Sequence, residues 1–334
     1  MKLIRNVLAL LLLLFSFAMS FAADQPLRKT GDIKLDLPSK YTVKIKCDKD
    51  GNHYYATSDG RVQKVRADGS LGESFDVASI HFVDDFFVAE TGDVYVLGRE
   101  DIKRPGEVDV FRFSSTAVLQ STTKIKLNGV RSFYPEHIAA FKTGQILITG
   151  TSGIRGQHTA FTGVFEADGK LLNSIYEPAD EESRLLAERG PNVGNLAVSQ
   201  GDAVAGPDGN IYLLRSTIPA TIYAVSPEGK VIRTLKIDLG EFPLGMKSIQ
   251  SGLAILSHKD REEIGRSPGG SVNEVDFDGN KIARYLVPVP IDVSTCGCYL
   301  GPGKYTFLTV GHIFRMEASP SESARDQAPG KGIR

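Results

Sequence analysis

Short runs in which apolar and polar residues alternate are broken at regular intervals by glycine turns from about residue 32 onward. The clearest example, residues 202–239, reads DAVAGPDG, NIYLLRST, ATIYAVSPEG and KVIRTLKIDL. The two-residue period is that of half-buried β-strands, and Asp-Gly or Glu-Gly pairs favour tight turns between antiparallel strands. The pattern therefore predicts a unit of four antiparallel strands.

This unit recurs along the chain, as expected for a repeat architecture. Residues 137–176 and 41–77 repeat it closely, and weaker copies span 80–127, 246–287 and 291–317. The last copy has only three strands, which would leave an unpaired edge. Asp32–Leu37, with the alternating sequence DIKLDL, precedes the first full copy and can supply the missing strand.

Six units over residues 32–316 give about 47 residues each. That length fits one four-stranded blade of a β-propeller, a fold that leaves only short and protected sheet edges. The sequence thus predicts an all-β, six-bladed propeller whose ring is closed when strand 32–37 docks on the C-terminal blade. The chain lacks Trp, which disfavours propellers built on a Trp-Asp motif.

The segments Asp50–Tyr55 (DGNHYY) and Asp208–Leu213 (DGNIYL) resemble the core of NHL-type propeller repeats. The resemblance covers about residues 32–316 and implies a six-bladed propeller of the NHL-repeat-like, TolB-like superfamily. That group includes lactonases, lyases, sensors and interaction domains, so the resemblance implies a fold without assigning an activity.

In such a blade the turns between the first and second strands and between the third and fourth strands share one face, and both kinds are short here. The opposite face carries the long loops, at residues 99–107, 128–136, 151–158, 178–200, 215–220 and 259–270. Long loops on a rigid scaffold commonly carry function. We therefore expect the long-loop face to be the working face.

Two sets of candidate residues follow. Residues for binding a small anionic ligand or a protein on the long-loop face are Arg131, Glu136, His137, Arg155, His158, Arg215 and Arg261. The resemblance to propeller lactonases and lyases implies a divalent metal, calcium or zinc, at the channel mouth, with Asp85, His137, Asp202 and Asp292 as ligands. A lone Asp or His on an inner strand more often satisfies neighbouring backbone groups, and the metal-binding Glu of the lactonases has no counterpart before Glu73.

The three cysteines, Cys47, Cys296 and Cys298, fall on the first and last predicted blades, which are neighbours in a closed ring. A disulfide from Cys47 to Cys296 or to Cys298 would lock the closure. A copper-type pair formed by Cys296 and Cys298 and three reduced buried thiols are the alternatives.

The N-terminus has the form of a secretory signal peptide, with Lys2 and Arg5 before an apolar run and small residues up to Ala22. Removing Lys2 and Arg5 from the 39 basic residues leaves 37 against 40 acidic ones, a net charge of −3. No basic run suggests nucleic-acid binding, and neither HExxH nor G-x-S-x-G occurs.

We therefore expect a secreted or periplasmic monomer, without stable membrane insertion after cleavage of residues 1–22. The segment 317–334, rich in Ser, Pro, Gly and charge, predicts a disordered tail. The predicted function is that of a ligand- or protein-binding module, and a metal-dependent lactonase or lyase is the alternative.

Overall fold

The computed structural model describes residues 24–35, 42–57, 60–77, 80, 82–99, 106–127, 130, 132–154, 157–175, 201–259, 270–288, 297–309 and 311–319. The predicted signal peptide at 1–22 and all of the predicted tail beyond Ser319 lie outside these ranges. No helix among the described residues is long and apolar enough to cross a bilayer.

The described residues form 24 strands and no helix. In chain order the strands are β1 (Gln25–Lys34), β2 (Thr42–Cys47), β3 (His53–Thr57), β4 (Arg61–Val65), β5 (Leu71–Asp76), β6 (Phe82–Val88), β7 (Val94–Arg99), β8 (Glu107–Phe113), β9 (Leu119–Lys126), β10 (Ser132–Ala140), β11 (Ile146–Ile154), β12 (Gln157–Phe165), β13 (Leu171–Ser174), β14 (Gly201–Ala205), β15 (Ile211–Arg215), β16 (Ala220–Val225), β17 (Val231–Ile237), β18 (Phe242–Ile249), β19 (Gly252–His258), β20 (Gly270–Val275), β21 (Lys281–Val287), β22 (Gly297–Gly301), β23 (Lys304–Thr309) and β24 (His312–Ala318).

Four consecutive groups of strands each form a four-stranded antiparallel sheet in chain order: β2–β5, β6–β9, β10–β13 and β14–β17. The remaining strands form an eight-stranded sheet in the order β18-β19-β20-β21-β1-β24-β23-β22. We call six strands the inner strands: β2, β6, β10 and β14, which begin the four separate sheets, and β18 and β22, which are the two edges of the eight-stranded sheet. They contact one another in a closed cycle: β2, β6, β10, β14, β18, β22 and again β2. The chain is thus an all-β propeller, and the space that the inner strands enclose is its channel.

Apolar side chains fill the space between successive sheets. Phe75 and Phe113, both buried, meet edge to face with ring centroids 5.9 Å apart. Tyr54 and Phe86 belong to the same cluster, which joins the first sheet to the second. Burial of such large aromatic groups is the main favourable term in packing sheet on sheet.

The predicted docking of an N-terminal strand on the last strands is present, but its boundaries are different. β1 spans Gln25–Lys34 instead of 32–37, and it pairs antiparallel with β24 from Leu27 opposite Ala318 to Lys34 opposite His312. The register shifts between Lys29 and Gly31. This bulge interrupts the two-residue alternation, which explains why the pattern in the sequence began only at Asp32.

The DGN segments are hydrogen-bonded turns. Asp48 Oδ1 accepts the backbone N–H groups of Asp50 (3.0 Å) and Asn52 (2.9 Å), and its Oδ2 accepts the side-chain N–H of Asn52 and the Tyr54 hydroxyl. Asp208 likewise accepts the Asn210 backbone N–H and the Tyr212 hydroxyl. These carboxylates therefore hold the turn and its following strand together.

Two turn glycines offer a matched test of how closely the sheets approach. Gly169 and Gly209 have φ values of +90° and +84°, which disfavour any residue with a Cβ. A Cβ on Gly169 would meet the Lys124 carbonyl oxygen of the preceding sheet, whereas no described atom lies within 4 Å of one on Gly209. Gly209→Ala should therefore cost only backbone strain, about 1–2 kcal/mol, and Gly169→Ala about 1–3 kcal/mol more. Urea unfolding of both variants measures the difference, and equal losses would contradict this packing.

Candidate functional site

One register position on the inner strands of the first four sheets carries polar side chains that meet in the channel. It holds Lys44, Asp85, His137 and Asp202, which pair with the fourth residues of the following strands, Ala56, Leu97, Thr149 and Leu214. In β2, β6 and β10 a register shift directly precedes this position. Such bulges redirect side chains, and here they bring residues far apart in sequence to one level of the channel.

The two aspartates at this level connect neighbouring inner strands. Asp85 Oδ2 accepts the backbone N–H of Ile138 at 3.0 Å, and Asp202 Oδ2 accepts that of Met246 at 3.2 Å. Asp202 Oδ1 also accepts the N–H of Ala203. Both carboxylates thus have a structural role, because each satisfies a buried donor of the next sheet.

Lys46 lies between these two carboxylates. Its Nζ is 2.6 Å from Asp202 Oδ1 and 3.9 Å from Asp85 Oδ2. A second ammonium, that of Lys247, lies 3.7 Å from Asp202 Oδ2. Two cations therefore share the carboxylate of Asp202.

The pKa values follow from this arrangement. Burial opposes the ionisation of Asp202, but the ammonium groups of Lys46 and Lys247 outweigh it and hold its pKa well below the usual range. Burial also opposes the ionisation of Asp85, but the ammonium groups of Lys46 and Lys44 outweigh it and lower the pKa of Asp85 to about 2. Both aspartates are therefore ionised at neutral pH, and their charge is balanced by lysine.

The structure brings three of the four predicted metal ligands to the same part of the channel. His137 Nδ1 is 3.7 Å from Asp85 Oδ2, and Asp202 lies on the other side of Lys46. Asp292 lies outside the described residues. The Lys46 ammonium occupies the space between the carboxylates where a bridging metal would sit, so this arrangement does not fit a metal held jointly by Asp85 and Asp202.

Some buried polar atoms beside the aspartates have no hydrogen-bond partner among the described residues: Asp85 Oδ1, Glu136 Oε2, both ring nitrogens of His137, and Thr149 Oγ1. Glu136 Oε1 accepts the Thr151 hydroxyl at 3.4 Å, and burial raises the pKa of Glu136. Unsatisfied groups of this kind need an explanation, which a bound ion or ligand could supply.

The predicted arginine patch is mostly outside the described part of the chain. Arg131, Arg155 and Arg261 fall in undescribed loops, and only the backbone of His158, in β12, is described. Arg215 ends β15 and has interacting partners in the fold. The long-loop face therefore stays a prediction.

A cavity of about 370 Å³ lies at the end of the channel away from the predicted long-loop face, where the inner strands end in short turns. Lys46 and Lys247 line it, together with the apolar Phe87 and Ile249 and the polar Gln250. Its volume is in the range of small-molecule sites. The cavity and the shared carboxylate of Asp202 thus lie on one channel axis.

Lys46 is not among the site residues predicted from the sequence, although a signal for it exists. The alternation in Thr42–Cys47 (TVKIKC) places Lys44 and Lys46 on the same side of an inner strand. Metal ligands are carboxylates and imidazoles, so a metal-ligand pattern does not select a lysine such as Lys46.

A covalent bond next to this cavity joins β2, the first inner strand in the chain, to β22, the last. Of the pairings that the sequence left open, the structure contains a disulfide between Cys47 and Cys298, with Cα atoms 5.6 Å apart. His53 packs against it, with Nδ1 3.1 Å from Cys298 Sγ and Nε2 3.0 Å from Thr306 Oγ1. Burial, with a contribution from Lys247, lowers the pKa of His53 to about 4, so its imidazole is neutral at neutral pH.

No family model and no curated protein sequence matches the chain. Among solved structures, the chain is similar to the WD40 domain of Pan2 from Neurospora crassa, with a TM-score of 0.50, 11% identity, and coverage of 90% of this chain and 97% of that one. It is also similar to a calcium-binding protein, regucalcin, from Agrobacterium tumefaciens (TM-score 0.49, 14% identity, 87% and 95% coverage). A third similar structure is a catalytically inactive virginiamycin B lyase from Staphylococcus aureus with quinupristin (TM-score 0.47, 11% identity, 87% and 99% coverage). At 11% identity, the likeness to the Pan2 domain shows the propeller fold alone.

Proposed function

We propose that this chain is a secreted or periplasmic, six-bladed propeller of the NHL-like kind that binds a small anionic ligand in its channel cavity. The observation that carries the proposal is the pair of ammonium groups of Lys46 and Lys247, whose side chains are 11% and 13% exposed and which share the single carboxylate of Asp202 beside that cavity. An anion that enters the cavity would lie near the ammonium of Lys247, which has to share the carboxylate of Asp202 with Lys46.

Six blades account for the eight-stranded sheet. Its strands β18–β21 repeat the antiparallel plan of the four separate sheets, and β22–β24 with β1 make a second set of four. Only two parallel pairs, Gln25 with Tyr285 and Pro26 with Leu286, join these sets, whereas β1 pairs with β24 along seven residues. We interpret the sheet as two blades bridged by the start of β1. Export agrees with the disulfide, because such bonds persist in oxidising compartments.

The charges favour Lys247 as the main anion-binding group. Lys46 makes the 2.6 Å contact with Asp202 Oδ1, while Lys247 stays 3.7 Å from Oδ2, beyond hydrogen-bond distance. Phe87 and Ile249 provide an apolar wall, and Gln250 and Ser248 add polar groups. Two acids, Asp48 and Glu90, also line the cavity, against the three lysines Lys46, Lys49 and Lys247, so the lining keeps an excess of positive charge. It suits a small carboxylate or phosphate with an apolar or hydroxylated body.

Lys247→Met tests the proposal while leaving Asp202 paired with Lys46. Succinate, citrate, D-glucuronate and inorganic phosphate serve as probes in isothermal titration calorimetry and thermal-shift measurements. We expect at least one probe to bind the wild type and to bind Lys247→Met at least about tenfold more weakly, a loss of about 1.4 kcal/mol.

The matched control is Lys230→Met, because Lys230 is exposed on a turn of the fourth sheet and does not line the cavity. It should bind the same probe as the wild type does. Failure of every probe to bind the wild type, or equal binding by Lys247→Met, would contradict the proposal.

A metal-dependent lactonase or lyase is the second candidate. The unpartnered atoms of Asp85, Glu136 and His137 favour it, and the position of Lys46 opposes it. Metal analysis of the purified, oxidised protein separates the two candidates. Stoichiometric calcium or zinc that is lost in Asp85→Asn would support the enzyme and count against the anion-binding module.

A further inference from the structure

The disulfide region contains three metal-binding side chains at one point. The sulfur atoms of Cys47 and Cys298 and a ring nitrogen of His53 all lie within 4.8 Å of one another. Cys47 and His53 are directly paired across β2 and β3. Cys298 comes from β22, the inner strand that lies next to β2 in the closed cycle. We infer that, when this disulfide is reduced, Cys47, His53 and Cys298 form a zinc site that takes the place of the covalent link.

The distances need little adjustment. In a tetrahedral zinc site with Zn–S of about 2.3 Å and Zn–N of about 2.0 Å, neighbouring ligand atoms are about 3.3–3.8 Å apart. His53 Nδ1 is already 3.1 Å from Cys298 Sγ. Once the covalent bond is broken, the two sulfur atoms have to separate by less than about 2 Å, which side-chain rotation can provide.

The second ring nitrogen of His53 is held in a way that suits a metal ligand. Thr306 Oγ1 lies 3.0 Å from Nε2, where it can accept a hydrogen bond from that nitrogen and leave the Nδ1 lone pair for a metal. Cys298 Sγ lies near both ring nitrogens, 3.1 Å from Nδ1 and 3.5 Å from Nε2, so the ring has to turn for that lone pair to meet the ion. Ligating histidines almost always donate their other N–H in this manner, which fixes the ring orientation. The contact with Thr306 therefore supplies the outer shell of the site.

Charge and access also favour zinc. His53 and Cys298 are fully buried, and two thiolates with Zn²⁺ and a neutral imidazole make a centre without net charge, which a buried position tolerates. Cys47 and Tyr299 line the channel cavity. The cavity thus gives the ion a route and leaves room for water as a fourth ligand, the arrangement of open zinc sites.

The chemical step is balanced with a dithiol reductant. The Cys47–Cys298 bond breaks, two electrons and two protons come from the reductant, and the reductant becomes a disulfide. Zn²⁺ then binds both sulfurs as thiolates and releases their two protons to solvent. A disulfide oxidant reverses the sequence: it takes two electrons from the two thiolates and two protons from solvent to become a dithiol, the Cys47–Cys298 bond forms again, and Zn²⁺ is released.

The experiment compares oxidised and reduced protein, each freed of metal with a chelator and then titrated with Zn²⁺ against a competing chromophoric chelator. We expect one tightly bound Zn²⁺ per reduced chain and none per oxidised chain. Co²⁺ in the reduced wild type should show the charge-transfer absorption of thiolate ligation, which needs no substitution.

Cys298→Ser should weaken zinc binding by at least about a hundredfold, because even outer-shell changes cost 10–100-fold. Cys296→Ser is the matched control two residues away and should bind zinc as the wild type does. The inference fails if the reduced wild type binds no zinc, if Co²⁺ gives no thiolate absorption, or if Cys296→Ser loses as much affinity as Cys298→Ser. Zinc that appears only after reduction and survives Asp85→Asn is distinct from the metal of the alternative enzyme.

Discussion

Reduction of the Cys47–Cys298 disulfide, with a chelator present to exclude metals, is expected to lower the free energy of unfolding by up to about 5 kcal/mol. The bond closes a loop with a sequence separation of 251 residues. In the chain-entropy model, the cost that a cross-link removes from folding grows with the logarithm of loop length, and a loop this long is near the upper end. Urea unfolding of the same sample with and without reductant measures the change.

Substitution separates the bond from side effects of the reductant. Cys47→Ser in oxidising buffer should show the same loss, whereas Cys296→Ser should stay as stable as the wild type. A loss below about 1 kcal/mol in both Cys47→Ser and the reduced wild type would mean that the pairing of β1 with β24 closes the ring without help from the disulfide.

Lys46→Met is expected to destabilise the protein by about 3 kcal/mol at neutral pH. The change leaves Asp85, which is fully buried, and Asp202 without their shared cation. Removing one partner of a buried ion pair typically costs about 3–5 kcal/mol, and Lys247 near Asp202 keeps the expected loss at the lower end. Urea unfolding gives the value, and Lys230→Met should change it by less than about 0.5 kcal/mol.

Acidification provides a second measurement on the same variant. Because the folded-state pKa of Asp85 is about 2, below an unfolded value of about 3.9, its ionisation contributes stability that is present above about pH 4 and is lost as the pH falls toward 2. Without Lys46 the pKa values of both aspartates should rise, since burial then acts against fewer cations. The difference in the free energy of unfolding between the wild type and Lys46→Met should therefore become smaller as the pH falls from 7 to about 3. A difference that stays constant would show that Lys46 acts through packing alone.

The repeating plan of four strands could be predicted from the sequence because each turn carries its own local signal. Gly169 and Gly209 both have the positive φ that their turns require. The strands that follow them depart from a strict half-buried alternation, since Leu171–Ser174 is mostly exposed and Ile211–Arg215 is buried almost throughout. Local signals failed at Thr30 and Gly31, where a bulge breaks the alternation and hid the first half of β1. A one-residue insertion is invisible to a strict two-residue period.

The site could be predicted only in part. Asp85, His137 and Asp202 were singled out from their places on inner strands, and the structure brings their side chains to the same part of the channel, while their role as metal ligands stays a prediction. Their partner was missed, because the contact of Lys46 with Asp202 joins residues 156 positions apart and depends on how the sheets are arranged around the ring. The choice of Cys298 over Cys296 was also beyond the sequence, as both lie on the same predicted strand and only three-dimensional placement distinguishes them.

The pairing of β1 with β24 also constrains how the protein can be made. Leu27 in β1 pairs with Ala318 in β24, so this part of the final sheet cannot form until all the strands between them have been synthesised. During vectorial synthesis, β1 must wait without its β24 partner while the intervening sheets form. Late, non-local pairing of this kind is slow and exposes strand edges to wrong partners. Maturation of this fold therefore depends on keeping one short N-terminal strand available until the C-terminus arrives.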